Sequence, residues 1–169
     1  MKVRMVALAL VLAAGTAAAS DKEKCAPDLV CASDPTTVGA ALMKAGYQGL
    51  ITKAEDGDPS IESAASGYKF WVDFYGSEQH VACDAIQFFA SFKGDESRNA
   101  ELANSWNRKH RFSQMSVRPD HTLDLRYDLT TMGGLNSRNF ADVLDWWTTI
   151  LGFADKFFAE NPGLEAKKP

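Results

Sequence analysis

The sequence predicts an α+β domain in which an antiparallel sheet of five to six strands is joined by three helices, in the order α-β-β-β-β-α-β-β-α. Three observations carry that expectation. Tyr68, Phe70, Val72 and Phe74 alternate with Lys69, Trp71, Asp73 and Tyr75, the period of two that a half-buried strand requires. Leu123, Leu125, Tyr127 and Leu129 alternate in the same way with Thr122, Asp124, Arg126 and Asp128. Near the C-terminus the period changes to 3.6, and Phe140, Val143, Leu144, Trp147, Leu151, Ala154 and Phe158 form one stripe of a long helix.

The remaining elements follow in chain order. Asp34-Pro35 is an N-cap followed by a first-turn proline, and Val38, Ala41, Leu42 and Ala45 keep helical spacing until Gly46. Residues 47–54 form a weaker strand around Leu50 and Ile51, which Asp56-Gly57-Asp58-Pro59 breaks as a turn. Ile61 to Ala65 leads across Ser66-Gly67 into the strong strand at 68–75. Ile86, Phe88, Ala90 and Phe92 predict a partner strand over 83–92, antiparallel to it. Asp95 and Ser97 are the capping residues for a helix over 98–109 that buries Leu102, Ala103 and Trp106. Strands at 112–117 and 122–129 form a hairpin around Arg118-Pro119-Asp120-His121. After Gly133-Gly134 the last helix starts at Asn136 or Ser137 and stops at Asn161-Pro162. Strands with a loaded inner face and a mixed outer face imply helices on one side of the sheet only.

Residues 1–19 read as a signal peptide: Lys2 and Arg4 precede the apolar run Met5 to Ala14, and Ala17-Ala18-Ala19 offers small residues for a cut after Ala19. That run is half the length a membrane span needs. The expected layout is then a flexible leader at 20–33, one domain at 34–160 and a disordered tail at 161–169, in the periplasm or secreted. The chain carries 18 basic and 22 acidic residues. Losing Lys2 and Arg4 leaves 16 against 22, a balance of −6 with no basic cluster. Neither a nucleic-acid partner nor an anionic membrane surface is expected.

Little in the chain points to a reaction. No Gly-x-Ser-x-Gly, His-Glu-x-x-His or phosphate-cradling glycine loop occurs, and no cofactor or catalytic residue is assigned. Asp56-Gly57-Asp58 lacks the rest of a calcium loop, and the thiols lack CxxC spacing, so no metal is expected either. Cys25, Cys31 and Cys83 allow one bridge: Cys25 with Cys31 across five residues, or Cys83 with the N-terminal segment. Asp124 and Asp128, with Arg126 between them, read as a solvated sheet surface. Trp71 and Tyr75 flank Asp73 on the outer strand face, and exposed aromatics are enriched where proteins meet. These three residues are the candidate partner-binding site. A second reading is an enzyme or small-ligand binder with a pocket near His110, Arg111 and Asp128. Of the adjacent Trp146 and Trp147 only one can enter the core, and the other marks a face for a homodimer.

The ordered set Asn104-Ser105-Trp106-Asn107-Arg108, Arg111-Phe112, Leu125-Arg126-Tyr127-Asp128-Leu129, Gly133-Gly134 and the aromatic last helix resembles the YbjN family of candidate sensory transduction regulators. Gly57-Asp58-Pro59 and the stretch from Gly67-Tyr68 to Tyr75-Gly76 resemble its secreted members. The resemblance implies a fold similar to type III secretion chaperones, often dimeric and binding protein, with no established reaction. Asn104, Trp106, Asn107, Arg111 and Phe112 then have structural roles, Trp106 packing inward while the flanking amides bond the following loop. Secreted members carry a cysteine pair around the first hairpin. Ser77 stands where one of them is expected beside Cys83, which directs Cys83 toward Cys31 or Cys25.

Overall fold

The computed structural model describes residues 24–94 and 96–161. The expected signal peptide at 1–19, residues 20–23 of the expected leader, Asp95 and the expected tail beyond Asn161 lie outside the described residues. In chain order the elements are β1 (Leu29–Val30), α1 (Pro35–Lys44), β2 (Ile51–Lys53), β3 (Pro59–Ala65), β4 (Tyr68–Tyr75), β5 (Ala85–Phe92), α2 (Ala100–Lys109), β6 (Gln114–Val117), β7 (Leu123–Thr130), β8 (Leu135–Asn136) and α3 (Ser137–Glu160). Strands β2-β3-β4-β5-β7-β6 form one antiparallel sheet, and β1 pairs with β8 in a separate two-stranded ribbon.

Alternation places Phe70, Val72 and Phe74 of β4 and Ile86, Phe88 and Ala90 of β5 in the core. All three helices pack against this inner face. Phe88 is its centre: its ring meets Phe70 at 6.2 Å, Phe140 at 6.4 Å and Trp147 at 5.6 Å between centroids. Each such fully buried side chain contributes roughly 1.5–3 kcal/mol relative to exposure. Helix α1 starts where expected, with the Asp34 carboxylate accepting from Thr36 N at 3.1 Å and Pro35 in the first turn. Gly39 lets it approach the chain before β2, because a Cβ there would stand 2.6 Å from the Gly49 carbonyl oxygen. Helix α2 is capped by Asn99, whose side chain accepts from Leu102 N at 3.0 Å, rather than by Ser97. Asn136 caps α3 through Asn139 N.

At the N-terminus one expectation is corrected and one open alternative is decided. The stretch assigned to a flexible leader is ordered from Leu29 onward: Val30, Cys31 and Ala32 are buried, and β1 pairs with β8 more than a hundred residues away. The disulfide joins Cys25 to Cys31, with Cα atoms 5.7 Å apart, and not Cys31 to Cys83. A turn closed by the Leu29 N to Ala26 O hydrogen bond brings the two N-terminal cysteines within bridging range. Cys83 is a buried thiol just before β5. The closed segment is a strap laid on the domain. Ala32 N donates to Thr131 Oγ1 at 2.8 Å. Gly134, at φ +78°, makes room below, where a Cβ would lie 2.6 Å from Leu29 Cδ1.

Candidate interaction face

The outer sheet face is built from the residues that alternation turns away from the helices. Register lines Ser60, Asp73, Gln87 and Asp128 into one row and Glu62, Trp71, Phe89 and Arg126 into the next. Trp71 and Phe89 are half-buried, with ring centroids 5.8 Å apart. The Arg126 guanidinium covers Phe89 at 5.3 Å, a cation–π contact worth about 0.5–1 kcal/mol at such a site. Tyr75, 44% exposed, closes the aromatic strip. Between Trp71 and Tyr75, Asp73 accepts from Ser60 Oγ at 2.6 Å. Burial holds its carboxyl above the ordinary aspartate range, the Ser60 hydroxyl opposes that, and the charge of Asp56 adds to it. A cavity of about 310 Å³ adjoins, lined by Ala54, Glu55, Asp56, Asp73, Phe74 and Tyr75.

Trp71, Asp73 and Tyr75 therefore do share one face. Sequence reasoning missed Phe89 and Arg126, although both stand in the outward phase of their strands. The aromatic pair Phe88-Phe89 hides which ring points out.

Asp124 departs from the expected solvated surface. It is 2% exposed and accepts from Arg118 Nε and from an Arg126 terminal nitrogen, each at 2.8 Å, and from Ser91 Oγ at 3.1 Å. Arg126, two residues along the same face, folds back over it, while Arg118 arrives from the end of β6. The charge is buried because both guanidiniums lie on top.

The stretch with family resemblance joins α2 to the segment that follows it. Trp106 is buried and its indole N–H donates to Ser113 Oγ at 3.1 Å. Asn107 binds β6 at Met115 twice, Nδ2 donating to the carbonyl at 3.0 Å and Oδ1 accepting from the N–H at 2.8 Å. Its amide thus imitates a neighbouring strand on the sheet edge. Asn104 is exposed on α2, so one amide rather than two holds the following segment. Asn107→Ala is expected to cost about 1 kcal/mol, as exposed paired groups revert to water. A urea midpoint measures that loss, and faster amide exchange at Met115 locates it.

The pocket expected near His110, Arg111 and Asp128 does not assemble. His110 stacks on Trp106 at 3.7 Å and donates from Nδ1 to the Trp106 carbonyl, within the helix layer. Asp128 lies across the sheet and accepts from Gln87 Nε2 at 2.6 Å. Strand alternation puts Tyr127 on the helix side and so turns Asp128 away. The Arg111 guanidinium lies over Phe112, which at φ +62° leans on Trp146 at 5.1 Å. Trp146, at 40% exposure, is the outward member of its pair, and Trp147 is fully buried.

A cluster the sequence did not signal joins the turn before β3 to the loop after β4. Asp58 accepts from Ser77 Oγ at 2.7 Å and lies 2.7 Å from His80 Nδ1. The Ser77 hydrogen bond, then that of His80, pulls its carboxyl below the ordinary aspartate range. A depressed carboxyl stabilises the fold above the unfolded value, near pH 3.9, and that contribution fades as pH falls through the folded value. Denaturation midpoints of the wild type and Asp58→Asn are therefore expected to differ at pH 6 and to converge below about pH 4.

Among the described residues no helix is long and apolar enough to cross a membrane, and no cluster of three His, Cys, Asp or Glu residues is arranged to hold a metal ion. The structure is similar to that of YbjN from E. coli, "a putative transcription regulator", with TM-score 0.50, 14% identity, and coverage of 69% of this chain and 84% of that one. An uncharacterized protein from Methanothermobacter thermautotrophicus matches with TM-score 0.50 and 10% identity over 74% and 96% of the two chains. The type III secretion chaperone SycH of Yersinia pestis, solved with a fragment of YscM2, matches with TM-score 0.42 and 15% identity over 71% and 92%. No curated protein matches the chain. The family model described as "YbjN: Putative bacterial sensory transduction regulator" matches residues 34–160, and the chain belongs to the YbjN family.

Proposed function

We propose that this protein is a non-enzymatic regulatory module of the periplasm that binds a protein or peptide on its outer sheet face. Family membership supports the regulatory role. The observation that carries the binding site is the strip Trp71, Phe89 and Tyr75, on the sheet face opposite all three helices. Rigid aromatic rings give contact area at low entropic cost, and Arg126 and Asp73 beside them supply charge of both signs. A peptide carrying a basic side chain next to an apolar one fits this strip, because a cation at Asp73 restores the ionised carboxylate that burial disfavours. Export follows the reading of residues 1–19.

The test is a photoreactive residue at position 87, in the middle of the face, introduced into cells and followed by mass spectrometry. One defined cross-linked partner is expected, and it disappears in the Trp71→Ala/Tyr75→Ala background while the thermal unfolding profile stays cooperative. Cross-linking that is unchanged by the double substitution places the partner elsewhere and discards this site.

A further inference from the structure

The helix layer holds a groove unrelated to the sheet face. Its volume is about 460 Å³, and its lining comes from three elements: Leu29 and Val30 of the strap, Ala40, Ala41 and Lys44 of α1, and Phe140 and Leu144 of α3. Val30, Phe140 and Leu144 are buried and form the floor, while the alanines of α1 leave the space above it. That volume is in the range of sites for small molecules, which are apolar with a few placed polar groups. The wall made by the strap lies outside the stretch matched by the family model, which begins at residue 34, and the Cys25–Cys31 bridge closes its turn.

The polar groups of the lining restrict the ligand. Lys44 is the one cation among the lining residues, and it forms no ion pair among the described residues. Asp28 lies on the same lining and opposes a second negative charge.

We propose that this groove binds a single-chain acyl ligand with a monoanionic carboxylate head, the chain lying on Val30, Phe140 and Leu144 and the head paired with Lys44. The bridge closes the turn that carries Leu29 and Val30, so its reduction loosens that wall and leaves it held by β1–β8 pairing and the Ala32–Thr131 hydrogen bond. This inference is independent of the proposed sheet-face partner.

The experiment is calorimetric titration of the purified, oxidised protein with dodecanoate below its micellar concentration, compared with dodecylamine and dodecyl phosphate. Saturable binding of dodecanoate is expected, tighter than that of either analogue. Lys44→Glu is expected to weaken it about tenfold and to favour the amine. Ala40→Trp fills the groove from an exposed position and is expected to abolish binding with the fold intact, and Ala141→Trp serves as a second filling variant. Cys25→Ser/Cys31→Ser is expected to lower the affinity without unfolding the domain. No saturable binding, or binding indifferent to both filling variants, overturns the proposal. An indifference to Lys44→Glu overturns the assignment of the head.

Discussion

Trp147→Ala lowers the stability of the domain by about 3–5 kcal/mol, the largest loss expected from a single substitution here. Trp147 is fully buried, in the middle of α3, and its ring lies 5.9 Å from Phe70 and 5.6 Å from Phe88. Truncation removes the transfer free energy of the largest side chain and leaves a cavity bounded by the rings of two strands, which hydrogen bonding holds in place. The Phe70 contact is edge-to-face, a geometry that adds roughly 0.5–1.5 kcal/mol to area burial. Trp147→Phe separates volume from polarity. The indole Nε1 is buried with no hydrogen-bond partner among the described residues, so phenylalanine loses area but also relieves a desolvated donor. Chemical denaturation is expected to place Trp147→Phe much nearer the wild type than Trp147→Ala. Equal losses would mean that the indole nitrogen has a partner after all.

Asp124→Ala is expected to cost about 3 kcal/mol, the low end of the range for breaking a buried charge pair. The estimate sits there because Arg118 and Arg126 are partly exposed and recover hydration when the carboxylate is gone. The asymmetry is the informative part. Arg118→Ala leaves Asp124 still paired with Arg126 and bonded to Ser91, and so is expected to cost about 1 kcal/mol or less. Denaturant midpoints of the two variants check the ratio. The same carboxylate fixes the two guanidiniums near the Phe89 ring. Cross-linking at the outer face is therefore expected to weaken more in Asp124→Ala than stability alone accounts for.

The strands and the long helix were legible because their signals are local. Tyr68 to Tyr75 alternates without interruption, and β4 has those bounds. Asp34-Pro35 and Asn136-Ser137 gave the caps of α1 and α3, since a cap is decided by a few residues of backbone. What stayed hidden depends on distant partners. Leu29 and Val30 look like part of a polar leader until Leu135 and Asn136 arrive beside them. Asp124 looks solvated until Arg118, six residues away, folds across it. Asp58 gives no sign of meeting His80 across the end of the sheet. Of the candidate site, strand phase alone placed Trp71, Asp73 and Tyr75 together. The separation of His110 from Asp128 needed the position of α2 relative to the sheet.

Helix α3 follows every strand among the described residues and is the lid of the core, covering Phe70 and Phe88 with its 24 residues. The inner face of the sheet thus stays bare until α3 has been made, and the β1–β8 ribbon cannot close until β8 has been made. Domains whose contacts are this non-local fold slowly and late. For a chain proposed to leave the cytoplasm, the delay is useful: translocation can begin from the N-terminus while the sequence that would lock the fold has yet to emerge.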